Sequence, residues 1–292
     1  MLRDVAEFWV SRAERNADGS YSIRGVVGAD EFAHHVTDNA FTNASAVIAL
    51  NAAIEAAEIL GRGARIEKQK TLSPAGNASL NASPSADKSD ALSMKRGQHS
   101  PKGKLVAVRA SRQAEQIQSW EAVASGLRIL KREDGVTDEY EGYDGRTIKQ
   151  ADVNLLAYPL QIVTDPADIR RDLEYYEPRI HPHGPAMSQA ILALEWARLG
   201  DGQKAWELYC KGLEGHLHGP FLAFSETAGH GDICFMTGLG GFLQLFINGF
   251  CGLELTDDGI VQLPAALPPH WRSITVQGAG LFEQDYTNYR AR

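Results

Sequence analysis

The sequence predicts a mainly α protein, a toroid of paired helices around a central cavity with a small β appendage at its C-terminal end. Three observations predict it. Apolar residues recur at helical spacing along most of the chain. Gly and Asp punctuate that pattern, with Gly200 placed to stop one helix and Asp201 to cap the next. Only residues 253–292 read as short strands, separated by Asp258-Gly259 and a Pro-rich turn.

Taken in order, residues 2–14 carry Leu2, Val5, Phe8, Trp9 and Ala13 on one helical face. Tyr21-Ser22-Ile23 is β-prone and leads into the loop Arg24-Gly25-Val26-Val27-Gly28-Ala29-Asp30-Glu31-Phe32. Thr42-Asn43 is placed to open a helix that runs to about Leu60 and ends at Gly61. Further helices are expected over 114–131, 151–160, 166–176, 184–199, 201–213 and 236–250, with Trp120, Trp196 and Trp206 on apolar faces as core. The strands are Leu253-Glu254-Leu255, Ile260-Val261-Gln262-Leu263 and Ser273-Ile274-Thr275-Val276. Residues 63–113 break the pattern. Rich in Ser, Ala, Asn, Lys, Gly and Pro, they bury too little to offset their ordering entropy and read as a disordered insertion. The expected organisation is therefore helical from 1–62, an insertion at 63–113, helical again from 114–252, and β over 253–292.

Composition narrows the function classes. A chain of 292 residues that is 43% hydrophobic can bury a sizeable core. A formal net charge of -8, with no basic stripe in the apolar-patterned parts, argues against a nucleic-acid partner. No stretch is expected to reach the roughly 18 apolar residues that span a bilayer, so no membrane partner is expected. Met1 is followed at once by an amphipathic helix with Arg3 and Asp4 rather than by a leader, which makes the cytoplasm the default compartment. Cys210, Cys234 and Cys251 lie in apolar helical contexts and read as buried free thiols.

The chemistry-bearing residues gather in loops. Besides Asp30-Glu31, with His34, His35 and Asp38-Asn39 behind it, the chain has Tyr140-Glu141-Gly142-Tyr143-Asp144-Gly145 leading into Lys149-Gln150-Ala151-Asp152. A third segment runs from Tyr175 through His181-Pro182-His183-Gly184-Pro185, and a fourth is Phe224-Ser225-Glu226-Thr227. Aromatic faces beside carboxylates, amides and a lysine suit a pyranose, whose C–H faces stack and whose hydroxyls need paired donors and acceptors. A carboxyl that must stay protonated near neutral pH needs partial desolvation. Glu31, between aliphatic residues and Phe32, is placed to be such a group. A solvated surface turn is the plain alternative for Asp30-Glu31, as a capping acid is for Glu226 and an ordinary helix start for Lys149-Gln150.

The stretches GVVGADEF, DNAFTNA, YDGRTIKQAD, YYEPRIHPHGPAMS and FSETAGHGDICFMTGLGGFLQ together resemble glycoside hydrolase family 65. The resemblance covers most of residues 1–62 and 114–263. It implies α-glucoside hydrolysis or phosphorolysis on an (α/α)6 barrel, with Glu31 as the general acid and Lys149 and Gln150 binding the non-reducing glucose. Asp30, Tyr143 and His183 join them as expected substrate-binding residues, and no cofactor or metal is expected. Glu226 stands where the family's hydrolases carry a general base. The region that gives phosphorylases a hydroxyl-rich phosphate loop reads His183-Gly184-Pro185-Ala186-Met187, in which Pro185 lacks an N–H and neither Ala186 nor Met187 has a hydroxyl. A Glu226 carboxylate nearby would repel phosphate. The resemblance thus favours an inverting hydrolase for kojibiose, trehalose or α-1,2-glucosyl-galactose units. The alternatives are a phosphorylase giving β-glucose 1-phosphate and an inactive sugar-binding remnant.

The chain also departs from the family. Ala33 stands where a histidine is common after the acid. The helices are fewer than a closed double ring needs, and the chain resembles the C-terminal half of the enzyme. The expected fold is then an incomplete (α/α)6 barrel. Its uncovered apolar helix faces would need self-association, a partner chain or the absent half.

Overall fold

A computed structural model gives the fold and describes residues 1–72, 101–229, 234–280 and 283–290. It is mainly α with small antiparallel sheets. The helices are α1 (Leu2–Arg12), α2 (Ala40–Leu72), α3 (Pro101–Gly126), α4 (Pro166–Tyr176), α5 (Met187–Arg198), α6 (Gly202–Leu213) and α7 (Met236–Gln244), the last widening into a π-helical turn over Leu245–Phe250. Strands β1 (Ala13–Arg15), β2 (Tyr21–Val26) and β3 (Val36–Thr37) form one sheet. Three hairpins follow: β4 (Leu217–His218) with β5 (Ala223–Phe224), β6 (Leu253–Thr256) with β7 (Gly259–Gln262), and β8 (Ser273–Ala279) with β9 (Gln284–Tyr289).

Local chemistry explains the boundaries. Asp201 Oδ1 accepts from the Lys204 N–H at 2.9 Å and opens α6, while Gly200, at φ +90°, ends the turn after α5. Pro166 begins α4 behind Asp165, whose carboxylate accepts from the N–H groups of Ala167 and Asp168. Thr42-Asn43 is not the start of α2. Asn39 caps it instead, its Oδ1 accepting from both Thr42 N and Thr42 Oγ1 at 2.8 Å. The helix expected over 151–160 shrinks to a 3₁₀ turn, Val153–Leu156, because Pro159 can neither donate nor fit a continuing helix. The helix expected to reach residue 131 ends at Gly126, where a Cβ would meet the Tyr21 ring at 2.7 Å. Leu127 pairs with Tyr21 in a parallel bridge instead.

Helix extends into the segment read as an insertion, over 63–72 and 101–113; residues 73–100 lie outside the described residues. By length and composition, Ala40–Gly61 is apolar enough to cross a membrane. This corrects the expectation that no stretch is: the count of apolar residues missed an alanine-rich helix whose charged residues are Glu55 and Glu58. Cys210 and Cys234 are exposed and only Cys251 is buried, which corrects the expectation of three buried thiols. Cys210 lies on the outward face of α6, away from Ala205 and Leu208.

The chain divides into two compact units, Met1–Ser11 with Ala49–Ser125, and Arg12–Ile48 with Gly126–Arg292. In the first, Ala6 of α1 is buried, and Glu7 accepts from Trp120 Nε1 and Gln116 Nε2, both at 3.1 Å. In the second, α5 supplies the centre of one core, where Ala190, Leu194 and Trp196 pack with Leu208, Phe242 and Phe250. Burying each large side chain of this kind contributes roughly 1.5–3 kcal/mol. Ala40, Tyr140, Tyr143, Ile148, Leu156 and Tyr176 make a second core. Met236, Leu239, Leu243 and Ile247 stay exposed along one side of α7 and its π-helical turn, an apolar stripe without cover among the described residues.

Candidate active site

Three backbone segments meet at the site, each tied by hydrogen bonds that its own residues dictate. The first is the loop after β2. Asp30, not Glu31, is its buried acid: Asp30 is 1% exposed, and its Oδ1 accepts from the N–H groups of Lys149 (2.6 Å) and Phe32 (3.1 Å). Glu31 turns outward, its side chain 57% exposed. The desolvation expected of Glu31 is absent because Val27 and Phe32, which were to supply it, are themselves about half exposed.

The second segment is Ile148–Asp152. Ile148 is anchored in one core and Ala151 in the other, so the intervening Lys149 and Gln150 are presented between them. Ile148 N donates to Arg179 O, His181 N donates to Ile148 O, and Ala151 N donates to the buried Ser188 Oγ at 3.0 Å. Gly184 is required beside this run, because a Cβ there would fall 2.2 Å from Lys149 O. Asp152 closes the segment. Its Oδ2 accepts from Ala29 N (2.7 Å) and Asp30 N (3.2 Å), and both its oxygens accept from Asn39 Nδ2. Bonds from backbone N–H to a charged acceptor are worth about 1.5–3 kcal/mol each.

The third segment follows the β4–β5 hairpin. Ser225, fully buried, shares a 2.8 Å bond with His218 Nε2 and donates to Thr227 O, while Glu226 O accepts from Ala186 N at 3.2 Å. These bonds fix the backbone on both sides of Glu226.

The result is a carboxylate–ammonium–carboxylate arrangement. Lys149 Nζ is in direct contact with Glu31 Oε2 and lies 3.8 Å from Glu226 Oε1. The Glu31 contact raises the Lys149 pKa, partly offset by burial and reinforced by the charges of Glu31, Glu226 and Asp30. Both carboxylates are substantially exposed, and ion pairs in such settings are worth about 0–1 kcal/mol. Lys149 can exchange them for a ligand's hydroxyls at little cost. Gln150 Nε2 donates to Ala29 O at 2.5 Å, and its buried Oε1 has no partner among the described residues. Gln150 lines a cavity of about 380 Å³ with Ala29, Met187, Ile191, Met236 and Thr237, a size typical of small-ligand pockets.

Beneath the loop lie two carboxyl groups whose environment sequence reasoning missed. Burial raises the Asp152 pKa to about 6 against the opposing pull of Asn39 and the two N–H donors. Glu139 is fully buried, and neither of its oxygens receives a hydrogen bond from the described residues. Burial, then the charges of Asp152 and Asp30, push its pKa up to about 9, so it holds its proton at neutral pH. Asn39 and Asp152 stood inside quoted motifs, but no periodicity marks Glu139.

Tyr143 does not join the site. It is 7% exposed, stacks on Tyr176 and donates its hydroxyl to Arg146 O at 2.6 Å. Asp30 is likewise inaccessible to a sugar, its accepting oxygen being bonded to backbone. His183 is exposed, its ring 5.8 Å from that of His181, which in turn meets Phe32 edge-on at 5.7 Å. These rings make an aromatic rim beside Glu31. Among the described residues, no group of three or more His, Cys, Asp or Glu side chains is placed to hold a metal ion.

A model of the glycosyl hydrolase family 65 central catalytic domain matches residues 1–220. A kojibiose hydrolase of Mucilaginibacter mallensis is 39% identical over 98% of this chain and 35% of its own length. A protein-glucosylgalactosylhydroxylysine glucosidase of Danio rerio is 31% identical over 94% of this chain and 34% of its own. The chain thus spans about a third of the length of these relatives. Among solved structures, a candidate kojibiose phosphorylase from the human microbiome superposes with a TM-score of 0.59 at 16% identity, over 94% of this chain and 36% of that one. A likeness at that identity speaks to the fold alone.

Proposed function

This chain belongs to glycosyl hydrolase family 65, and from that premise we propose that it carries the catalytic apparatus of an inverting α-glucoside hydrolase. The observation that carries the reading is the meeting of Glu31 and Glu226, from loops far apart in sequence, on the single Lys149 ammonium. A glucoside displacing that ammonium from between the carboxyl groups would be flanked by an acid and a base. With the ammonium displaced and water excluded by the bound sugar, Glu31 gains the desolvation it lacks in the free chain, takes up a proton and donates it to the departing glycosidic oxygen as the bond to the anomeric carbon breaks. Glu226 takes a proton from a water attacking that carbon from the opposite face, and β-glucose is released. Lys149 donates to glucose hydroxyls, and Gln150 Oε1, buried without a partner among the described residues, accepts from one.

Water is favoured over phosphate as the nucleophile. His183–Met187 offers no hydroxyl, and the hydroxyl of Ser188 already accepts from Ala151 N. Phosphate would also meet the Glu226 carboxylate. Among substrates the names of the relatives support kojibiose first, with glucosyl-galactose units next. The same reading makes the helical parts of the chain a portion of an (α/α)6 barrel, whose remaining helices would cover the apolar stripe on α7. The test is glucose release from kojibiose by the wild-type chain and by Glu31→Gln and Glu226→Gln. Each substitution lowers turnover by about 10²–10⁴-fold. Unchanged turnover in either variant would remove that residue from its role.

A further inference from the structure

The catalytic carboxyl and the glucose-binding lysine belong to segments more than a hundred residues apart, and the bonds between those segments are reciprocal. Asp152, at the end of the Lys149 segment, accepts from Ala29 N at 2.7 Å and Asp30 N at 3.2 Å in the Glu31 loop. Asp30 returns the contact, accepting from Lys149 N at 2.6 Å. Gln150 Nε2 adds a fourth bond, to Ala29 O at 2.5 Å. Each segment thus grips the other through a carboxylate on backbone N–H, one residue away from Glu31 and three from Lys149 respectively. Asn39 braces the clasp from the start of α2, donating to Asp152 and accepting from Thr42. The fit is close, since a Cβ at Gly28 would fall 2.3 Å from Asn39 Nδ2 and 2.5 Å from Asp152 Oδ2.

Within the hydrolase reading above, on which the catalytic part of this inference rests, we propose that Asp152 and Asp30 are positioning residues. Their crossed carboxylate-to-backbone bonds hold the Glu31 loop in register with Lys149 and Gln150. Neither acid touches the sugar: Asp152 is wholly buried and Asp30 nearly so. Backbone N–H groups give a carboxylate a rigid, unequivocal target, which a side-chain partner would not. The neighbouring Glu139, holding its proton at a pKa of about 9, keeps a third negative charge out of this buried cluster. Glu31 itself is exposed and its ion pair with Lys149 weak, so the geometry of its loop must come from the backbone bonds.

The test uses Asp152→Ala and Asp152→Asn, the second keeping one carbonyl oxygen as acceptor. Amide hydrogen exchange of residues 28–32, read without substrate, is expected to quicken at least about tenfold in Asp152→Ala and less in Asp152→Asn, with the α5 core unchanged. On kojibiose, kcat falls about 10–100-fold with KM little altered, and Asp152→Asn recovers part of the loss. Exchange that is unaltered in both variants, or that rises equally in α5, overturns the proposal, as does a loss confined to KM. A wild-type chain without turnover would sink the hydrolase reading alone, because the exchange measurement still judges the clasp.

Discussion

Replacing Glu139 with Gln isolates the carboxyl near the site whose pKa is raised furthest. In the folded chain Glu139 is fully buried, receives no hydrogen bond from the described residues and faces the charges of Asp152 and Asp30. Its pKa rises from the ordinary 4.5 to about 9. In the unfolded chain it titrates normally, so between those two values the folded state binds the extra proton. Stability is therefore greatest below the unfolded pKa and falls as pH rises toward the folded one. Each pH unit in that window costs roughly 1.4 kcal/mol, so about 4 kcal/mol is lost between about pH 5 and pH 8. An amide of the same shape does not titrate. Urea denaturation of wild type and Glu139→Gln across this range is expected to show the variant gaining on the wild type as pH rises. Asp152, raised to about 6, bends both curves alike and drops out of the difference. If the two stability curves run parallel from pH 5 to 8, Glu139 is not held neutral and the electrostatic description of the buried cluster is wrong.

Other substitutions probe the fit around the same loop. Gly28→Ala drives a methyl into Asn39 and Asp152 and is expected to cost about 1–3 kcal/mol by thermal denaturation. Gly61→Ala in α2, where a Cβ meets open space, should instead add about 0.4–1 kcal/mol in the same assay. Equal effects at the two glycines would contradict the packing at Gly28. Ser188→Ala leaves the Ala151 N–H buried without its acceptor and is expected to cost about 1–3 kcal/mol, measured by urea denaturation.

The helical class, the Gly200 stop, the Asp201 cap and the hairpin around Asp258-Gly259 were legible because each rests on local chemistry. What failed was decided by distant parts of the chain. Asn39 outcompeted Thr42-Asn43 as a cap. Gly126 ended its helix where Tyr21 packs, and nothing near residue 126 records that contact. Within the Asp30-Glu31 pair, sequence order cannot say which acid turns inward. The answer comes from Lys149 N, a donor 119 residues further along the chain. Tyr143 carries a residue type suited to sugars, yet the Tyr176 face claims it for the core. Glu139 escaped notice because a buried neutral acid and a solvated one look alike in sequence. The motifs carrying the family resemblance did assemble: Glu31, Lys149 and Glu226 meet, although they lie in three separate loops.

The most direct test of the central claim is the anomer of the first glucose released from kojibiose, followed by proton NMR in buffer without phosphate and again with phosphate added. The account predicts β-glucose at the outset, at the same rate in both buffers, slowly mutarotating to the equilibrium mixture. Initial α-glucose, a dependence on phosphate with β-glucose 1-phosphate as product, or no release in either buffer would contradict it.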